Sequence, residues 1–349
     1  MLRAIMRTQN QSGGCSRRVF LRQSAALTGL MAGLPSIVVG RAASESADGG
    51  KARKTIPVIL ATDIGDDIDD TWALGLMLKS PELDPKLVLT DYGKPQYRAK
   101  LLAKFLQVTG YSHIPVALGP EAEPHGEGDQ ASWVKNYDLK SYPGKVYPDG
   151  VQALIETIMG SREKITLICI GPVPNVAAAL AREPRIAQHA RIVGMDGSVR
   201  KGYGGSPQIC AEWNVKAAPK AAQQVLAAPW DVTITPLDTC GLVTLSGERY
   251  ARLLQSKDPV VSAIIENYRL WSRTRNNAAE AERASSVLFD TVAVYLAFSQ
   301  QLCKMERLGI RVSDEGFTLI DEHGKPMEVA TGWTTLDGYR DLLVDRLLK

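Results

Sequence analysis

The run Ile165-Thr166-Leu167-Ile168-Cys169-Ile170 carries no charge and no alternation of polar with apolar residues. A strand with one face in water alternates, whereas a strand covered by helices on both faces does not. A turn, Gly171-Pro172-Val173-Pro174, follows at once, and then a helical pattern from Val176 to Leu180. The same unit recurs as Pro57 to Thr62 before Thr71 to Leu78, and as Leu87 to Thr90 before Tyr97 to Val108. Further short strand patterns lie at Pro115 to Leu118, Ile192 to Met195 and Val232 to Thr235. This alternation predicts an α/β fold with an open, largely parallel sheet flanked by helices and a Rossmann-like core. The stretch from Val260 to Gln300 is mostly helical in pattern, and Ile310 to Val329 predicts a hairpin around Asp321-Glu322-His323-Gly324-Lys325. No internal repeat is present.

The N-terminus does not belong to this pattern. Arg3 and Arg7 precede Ser16-Arg17-Arg18-Val19-Phe20-Leu21, an apolar run from Ser24 to Val39, and small residues at Gly40 to Ala43. Paired arginines before a modest apolar stretch predict a twin-arginine export signal over residues 1–43, cleaved near Ala42 or Ala43, and hence a periplasmic protein. Its glycines and proline make it a poor membrane span, so no membrane association is expected once it is removed. Residues 44–55 are polar and Gly-rich and read as a linker, with the folded domain over 56–349. A net charge of +3 over 349 residues, with Lys and Arg interspersed among Asp and Glu, gives no basic patch for a nucleic-acid partner. Cys169, Cys210, Cys240 and Cys303 lack CxxC spacing and have mostly apolar neighbours, so they read as buried thiols.

Ligands of open parallel sheets sit beyond the carboxyl ends of the strands. After the first strand comes Thr62-Asp63-Ile64-Gly65-Asp66-Asp67-Ile68-Asp69-Asp70-Thr71-Trp72-Ala73-Leu74, with five carboxylates in eight positions. They repel one another unless a cation or a helix N-terminus offsets the charge, and calcium, with six to eight hard oxygen ligands, suits such a group. A solvated acidic helix start is the plainer alternative. An EF-hand loop beginning at Asp63 fails, since its sixth and twelfth positions would be Ile68 and Leu74 rather than Gly and Glu. A DDxxD diphosphate motif through Asp66 to Asp70 belongs in a helical bundle. A phosphatase of the haloacid dehalogenase type would need an aspartyl nucleophile where Ala61 stands, and remains the runner-up enzyme.

The acidic segment resembles the aspartate-rich signature of the inosine-uridine-preferring nucleoside hydrolases. The likeness continues in order through Gly171-Pro172-Val173-Pro174-Asn175-Val176-Ala177, Ala211-Glu212-Trp213-Asn214, Leu237-Asp238-Thr239 and Leu288-Phe289-Asp290-Thr291-Val292-Ala293. This resemblance implies a calcium-dependent hydrolase of the N-glycosidic bond of ribonucleosides or related ribosides, usually a homo-oligomer. Asp63, Asp70, Asp290 and the Pro174 carbonyl would ligate Ca2+, and Asp63 would take a proton from the attacking water. Asp69, Glu212, Asn214 and Asp290 would hold the ribose hydroxyls, and carboxylates near the ring would steady the oxocarbenium-like transition state. Taken singly, Glu212 and Asn214 read as a surface loop and Asp290 as a helix cap.

Several positions depart from the pattern. Ala61 replaces an Asp, and Lys94 stands where Asn is common and could either pair with an acid or weaken metal binding. Ser206 replaces an Asn that reaches the sugar's primary hydroxyl, and Phe289 replaces the His proposed as leaving-group acid. A phenyl ring donates no proton. His125, in a Gly-rich loop, is a substitute acid in one reading and a surface residue in the other. Trp213, Tyr268 and Trp271 are candidates to stack on a base, although Tyr268 and Trp271 at i and i+3 also fit a core. A protein that binds a sugar or nucleoside with calcium, but without turnover, is the alternative from a different class.

Overall fold

The computed structural model describes residues 55–349; the expected export signal at 1–43 and nearly all of the expected linker at 44–55 lie outside them. Ten strands form one sheet: β1 (Ile56–Thr62), β2 (Leu83–Thr90), β3 (Val116–Ala117), β4 (Val146–Tyr147), β5 (Ile165–Cys169), β6 (Ala190–Gly194), β7 (Val232–Ile234), β8 (Cys303–Val312), β9 (Thr318–Ile320) and β10 (Lys325–Trp333). Their order is β4-β3-β2-β1-β5-β6-β7-β10-β8-β9. Every pairing from β4 across to β10 is parallel, and only β8 runs against its neighbours. The expected open, largely parallel α/β sheet is what forms.

Alternate residues of β1 point to opposite faces. Val58 and Leu60 join an apolar layer with Trp72, Leu102 and Tyr295, while Ile59 and Ala61 join another with Leu89, Leu154 and Val176. Helices cover both layers, which is why the central strands carry apolar side chains on both faces. All ten residues of the Asp69–Leu78 helix are buried, so it is enclosed rather than amphipathic. Trp72 lies at its heart, wholly buried, with its ring 6.5 Å from that of Tyr250 and 6.3 Å from that of Tyr268.

The chain order places a switch point between β1 and β5. From β1 the chain moves outward through β2, β3 and β4, then returns to β5 on the other side and moves outward again. Loops leaving β1 and β5 therefore part in opposite directions and open a crevice at their carboxyl ends.

Two sequence expectations need correction. The helical stretch is two helices, Pro259–Thr274 and Thr291–Phe298, separated by an irregular segment with one short 3-10 turn at Glu280–Glu282. The turn at Asp321 to Gly324 does connect two strands, but β9 and β10 do not pair with each other. Ile310 of β8 pairs with Ile320 on one side and with Lys325 on the other, so β8 lies between them. Turn residues mark where a chain reverses and leave open which strand it meets. The crossing depends on Gly309, where a Cβ would run into the Asp321 carbonyl oxygen. Gly309→Val should therefore lower stability by roughly 1–3 kcal/mol in urea denaturation; a variant as stable as the parent would show that the crossing is not tight.

Candidate active site

Several side chains hold the turn after β1, and Arg98 makes the most bonds to it and to the turn beside it. Arg98 is wholly buried on the Pro95–Val108 helix. Its Nη1 donates to the carbonyls of Asp63 and, at 2.9 Å, Ile64. Nε donates to the Gly93 carbonyl at 3.2 Å, and Nη2 to the Tyr92 carbonyl and to Asp66 Oδ2, both at 2.9 Å. One guanidinium thus ties the turn after β1 to the turn after β2. Gly65 has φ +116, and a Cβ there would lie 2.6 Å from the Tyr97 ring, so only glycine fits this bend. Lys94 forms an ion pair of 2.6 Å with Asp66. Of its two possible fates, pairing with an acid is the one observed. Burial raises the Asp66 carboxyl, but Arg98 and Lys94 outweigh it and hold the group below its ordinary range.

The remaining acids converge. Asp69, Asp70 and Asp290 each present a carboxylate oxygen such that all three lie within 4.8 Å of one another. They are 0%, 1% and 0% exposed, which disposes of a solvated helix start. Thr62 Oγ1 donates to Asp70 Oδ1 at 2.5 Å. Burial, with the charges of Asp63 and Asp69 beside it, pushes the Asp70 carboxyl well above its ordinary range. Asp63 adjoins the trio and packs against the turn after β5, where a Cβ on Gly171 would lie 2.7 Å from Asp63 Oδ1. Pro174 opens the helix Pro174–Arg182 after that same turn. Asp290 precedes the Thr291–Phe298 helix, yet its side chain makes no capping hydrogen bond there. Its residue type is therefore not accounted for by capping.

Glu212 and Asn214 are buried, not a surface loop. Glu212 does cap the Trp213–Ala217 helix, accepting the Asn214 N–H at 3.0 Å, and its other oxygen accepts the Gly197 N–H at 3.1 Å. Asn214 Nδ2 donates to the Met195 carbonyl at 2.8 Å, while its buried Oδ1 meets no hydrogen-bond donor. That oxygen is available to a ligand hydroxyl. Asp238 accepts the N–H groups of Val199 and Arg200 at 3.0 and 2.9 Å, and so fixes the loop after β6.

On the other side of the crevice, Phe289 is buried against Tyr203, ring centroids 6.0 Å apart and edge to face. Ser206 Oγ accepts the Gln208 N–H within its own loop. Tyr268 and Trp271 are core residues, 1% and 2% exposed, which leaves Trp213 as the exposed one of the three. His125 is exposed and faces Glu123 at 3.0 Å. Cys169, Cys210, Cys240 and Cys303 are buried, as expected.

Two buried acids had no sequence signal. Asp91, after β2, accepts the Tyr92 N–H, and burial with the charge of Asp63 pushes its carboxyl well up. Asp196, after β6, is raised by burial and by Glu212. Both act on Cys169 at the end of β5, and Ala61 lies in the same layer.

Three crowded, buried carboxylates with Asp70 driven toward protonation are a poor resting state in water and a good donor set for a hard divalent cation. The residues present fit a metal. The profile of the inosine-uridine preferring nucleoside hydrolases matches residues 58–339. The chain belongs to this family of metal-dependent glycosylase-type hydrolases, which sets aside the phosphatase alternative. It is 28% identical, over 81% of its length and 93% of the relative's, to a non-specific ribonucleoside hydrolase, RihC, of Klebsiella pneumoniae. The plant nucleoside hydrolase PpNRh1 superposes with a TM-score of 0.71 at 22% identity, covering 84% of this chain and 99% of that one. A purine-preferring ribonucleoside hydrolase from Gardnerella vaginalis gives 0.68 at 21% identity, covering 83% and 98%.

A carboxyl whose pKa is raised by folding stabilises the fold below its unfolded pKa and loses that contribution as pH climbs through the folded value. Without divalent cation, the melting temperature should fall as pH rises from about 4 toward 8. Asp196→Asn should flatten part of that fall. A metal-free protein that melts highest at pH 8, with Asp196→Asn unchanged from the parent, would contradict the assignment.

Proposed function

We propose that this protein hydrolyses the N-glycosidic bond of ribonucleosides, with calcium as its metal and with Asp63, Asp70, Asp290 and the Pro174 carbonyl as ligands. The observation that carries this is the buried Asp69-Asp70-Asp290 cluster, with Asp63 beside Asp70 and, on this reading, Asp69 facing the sugar instead of the metal. A bound cation would supply positive charge that orders the sugar hydroxyls and acidifies the attacking water. Asp63 takes that water's proton. Asp69, Glu212 and Asn214 hold the ribose hydroxyls, the Asn214 Oδ1 accepting one of them, and Asp290 would serve both a metal and the sugar. As the glycosidic bond lengthens, the sugar gains positive charge, and the surrounding carboxylates stabilise it more than they stabilise the ground state. Export by the twin-arginine signal to the periplasm, one catalytic domain over 56–349 and assembly into a homo-oligomer complete the reading.

The leaving-group side supports a substrate that needs little protonation. Phe289 offers no general acid, and such acid help is worth roughly a hundredfold to ten-thousandfold to a purine. The replacements by Phe289 and Ser206 favour a second reading, a nucleoside-binding protein without turnover.

Release of reducing sugar from a panel of ribosides separates the two. Hydrolysis should be seen with uridine, be weaker with inosine, stop with a calcium chelator and return with calcium. No release from any riboside would leave the binding reading. Asp63→Asn should lower kcat by about a hundredfold or more with folding kept, whereas Asp66→Asn should chiefly lower the melting temperature, since Asp66 is engaged by Lys94 and Arg98. Equal loss of kcat at both positions would point to bulk electrostatics instead of a base.

A further inference from the structure

The register of the central strands puts three acids on one face. Ala61 of β1 lies opposite Leu89 of β2 and Cys169 of β5, and Cys169 lies opposite Gly194 of β6. Side chains alternate along a strand. The residues two places further on, Asp91, Asp63, Gly171 and Asp196, therefore follow in a row across β2, β1, β5 and β6, on the face that Ala61 shares with Leu89 and Cys169. Contacts past the strand ends agree with this row. A Cβ on Gly171 would lie 2.7 Å from Asp63 Oδ1, and one on Gly194 would run into Asp196 Oδ2.

Asp91 fastens the neighbours of Asp63 to each other. It is 1% exposed, and its N–H donates to the Thr62 carbonyl at 2.8 Å, which carries the β1–β2 pairing one residue further. Its carboxyl accepts the Tyr92 N–H at 2.9 Å and also the backbone N–H of Asn175, in the first turn of the Pro174–Arg182 helix. The first N–H groups of a helix have no partner inside it, so a buried one needs an acceptor from elsewhere. Asn175, wholly buried, returns the link: its Nδ2 donates to the Thr90 carbonyl at 3.2 Å, and its Oδ1 accepts the Val176 N–H at 2.7 Å. Ala61 lies in one apolar layer with Val173 and Val176 of this same turn and helix, and brings no polar atom of its own side chain to it.

We propose that Asp91 is a positioning residue, which from β2 holds the turn after β5 beside Asp63 and so takes over the support that the Asp replaced by Ala61 would give from β1. The proposal rests on the hydrolase reading for the metal that these two turns would hold. Position 61 must then stay small, because a further carboxylate in the layer of Asp91 and Asp63 would add to the repulsion between them.

The test is a double-variant cycle of Asp91→Ala and Ala61→Asp in the full chain, read by titration calorimetry with calcium. Asp91→Ala should weaken calcium binding by about tenfold or more. Asp91→Asn, whose amide oxygen still accepts an N–H, should weaken it by no more than about threefold. Ala61→Asp should weaken binding in the parent and restore it in Asp91→Ala. Affinity that Asp91→Ala leaves intact, or that Ala61→Asp fails to restore, would overturn the proposal. Urea unfolding of the same four proteins without metal asks the question independently of any ion: Ala61→Asp should lower the midpoint of the parent and raise that of Asp91→Ala, and a lowering in both would overturn the proposal. Folded wild type that binds no calcium sinks the metal reading alone, and the unfolding cycle then decides on Asp91. If Asp91→Ala does not fold, recovery of folding by Ala61→Asp supports the exchange, and a double variant that also stays unfolded overturns it.

Discussion

The structure depends on keeping several buried carboxylates a few ångströms apart at the end of a parallel sheet. Their mutual repulsion and lost hydration oppose folding, so something must hold the backbone that carries them. Arg98 does much of this. Its guanidinium donates to backbone carbonyls and to Asp66, and so it steadies the turn that leads to the other acids. Lys94 is likewise committed to Asp66. These two cations thus support the scaffold, and the Asp69-Asp70-Asp290 cluster presents carboxylate oxygens that could hold a metal.

The sheet explains why residues so distant in sequence can converge. Asp63 leaves β1, the Gly171 turn leaves β5, and these two strands are neighbours whose connections run in opposite directions. Glycine at 171 lets the turn approach the Asp63 carboxylate, and the buried Asp69–Leu78 helix fixes Asp69 and Asp70 in its first turn. Thr291–Phe298 packs against the same helix and brings Asp290 with it. Phe289 is set by the same segment and turns toward Tyr203, so an aromatic pair adjoins the acidic cluster.

Much of this was legible in the sequence. Uninterrupted apolar runs identify strands buried on both faces, because only helices on both sides permit them. The acidic turn pointed to a cation because its charge density is hard to explain otherwise, and the five ordered motifs placed Glu212, Asn214 and Asp290 beside it. What stayed hidden is pairwise and long-range. Arg98 looks like any arginine on a helix, although an apolar setting of Tyr97, Ala99, Leu101 and Leu102 hints that it is buried. Asp91 and Asp196 are ordinary loop residues until the sheet brings both beside Cys169. The strand partner of β10 could not be read from a turn, since β8 slots between two segments that adjoin in sequence.

The central claim is that the buried acids form one calcium site, and titration calorimetry of calcium into chelator-stripped protein tests it most directly. The account predicts one ion per chain, with affinity reduced by about a hundredfold or more in Asp70→Asn and in Asp290→Asn, as expected when a charged oxygen ligand is replaced by a neutral one. It also predicts wild-type affinity in Asp66→Asn. Folded wild-type protein that takes up no calcium, or binding that Asp70→Asn and Asp290→Asn leave intact, would contradict it.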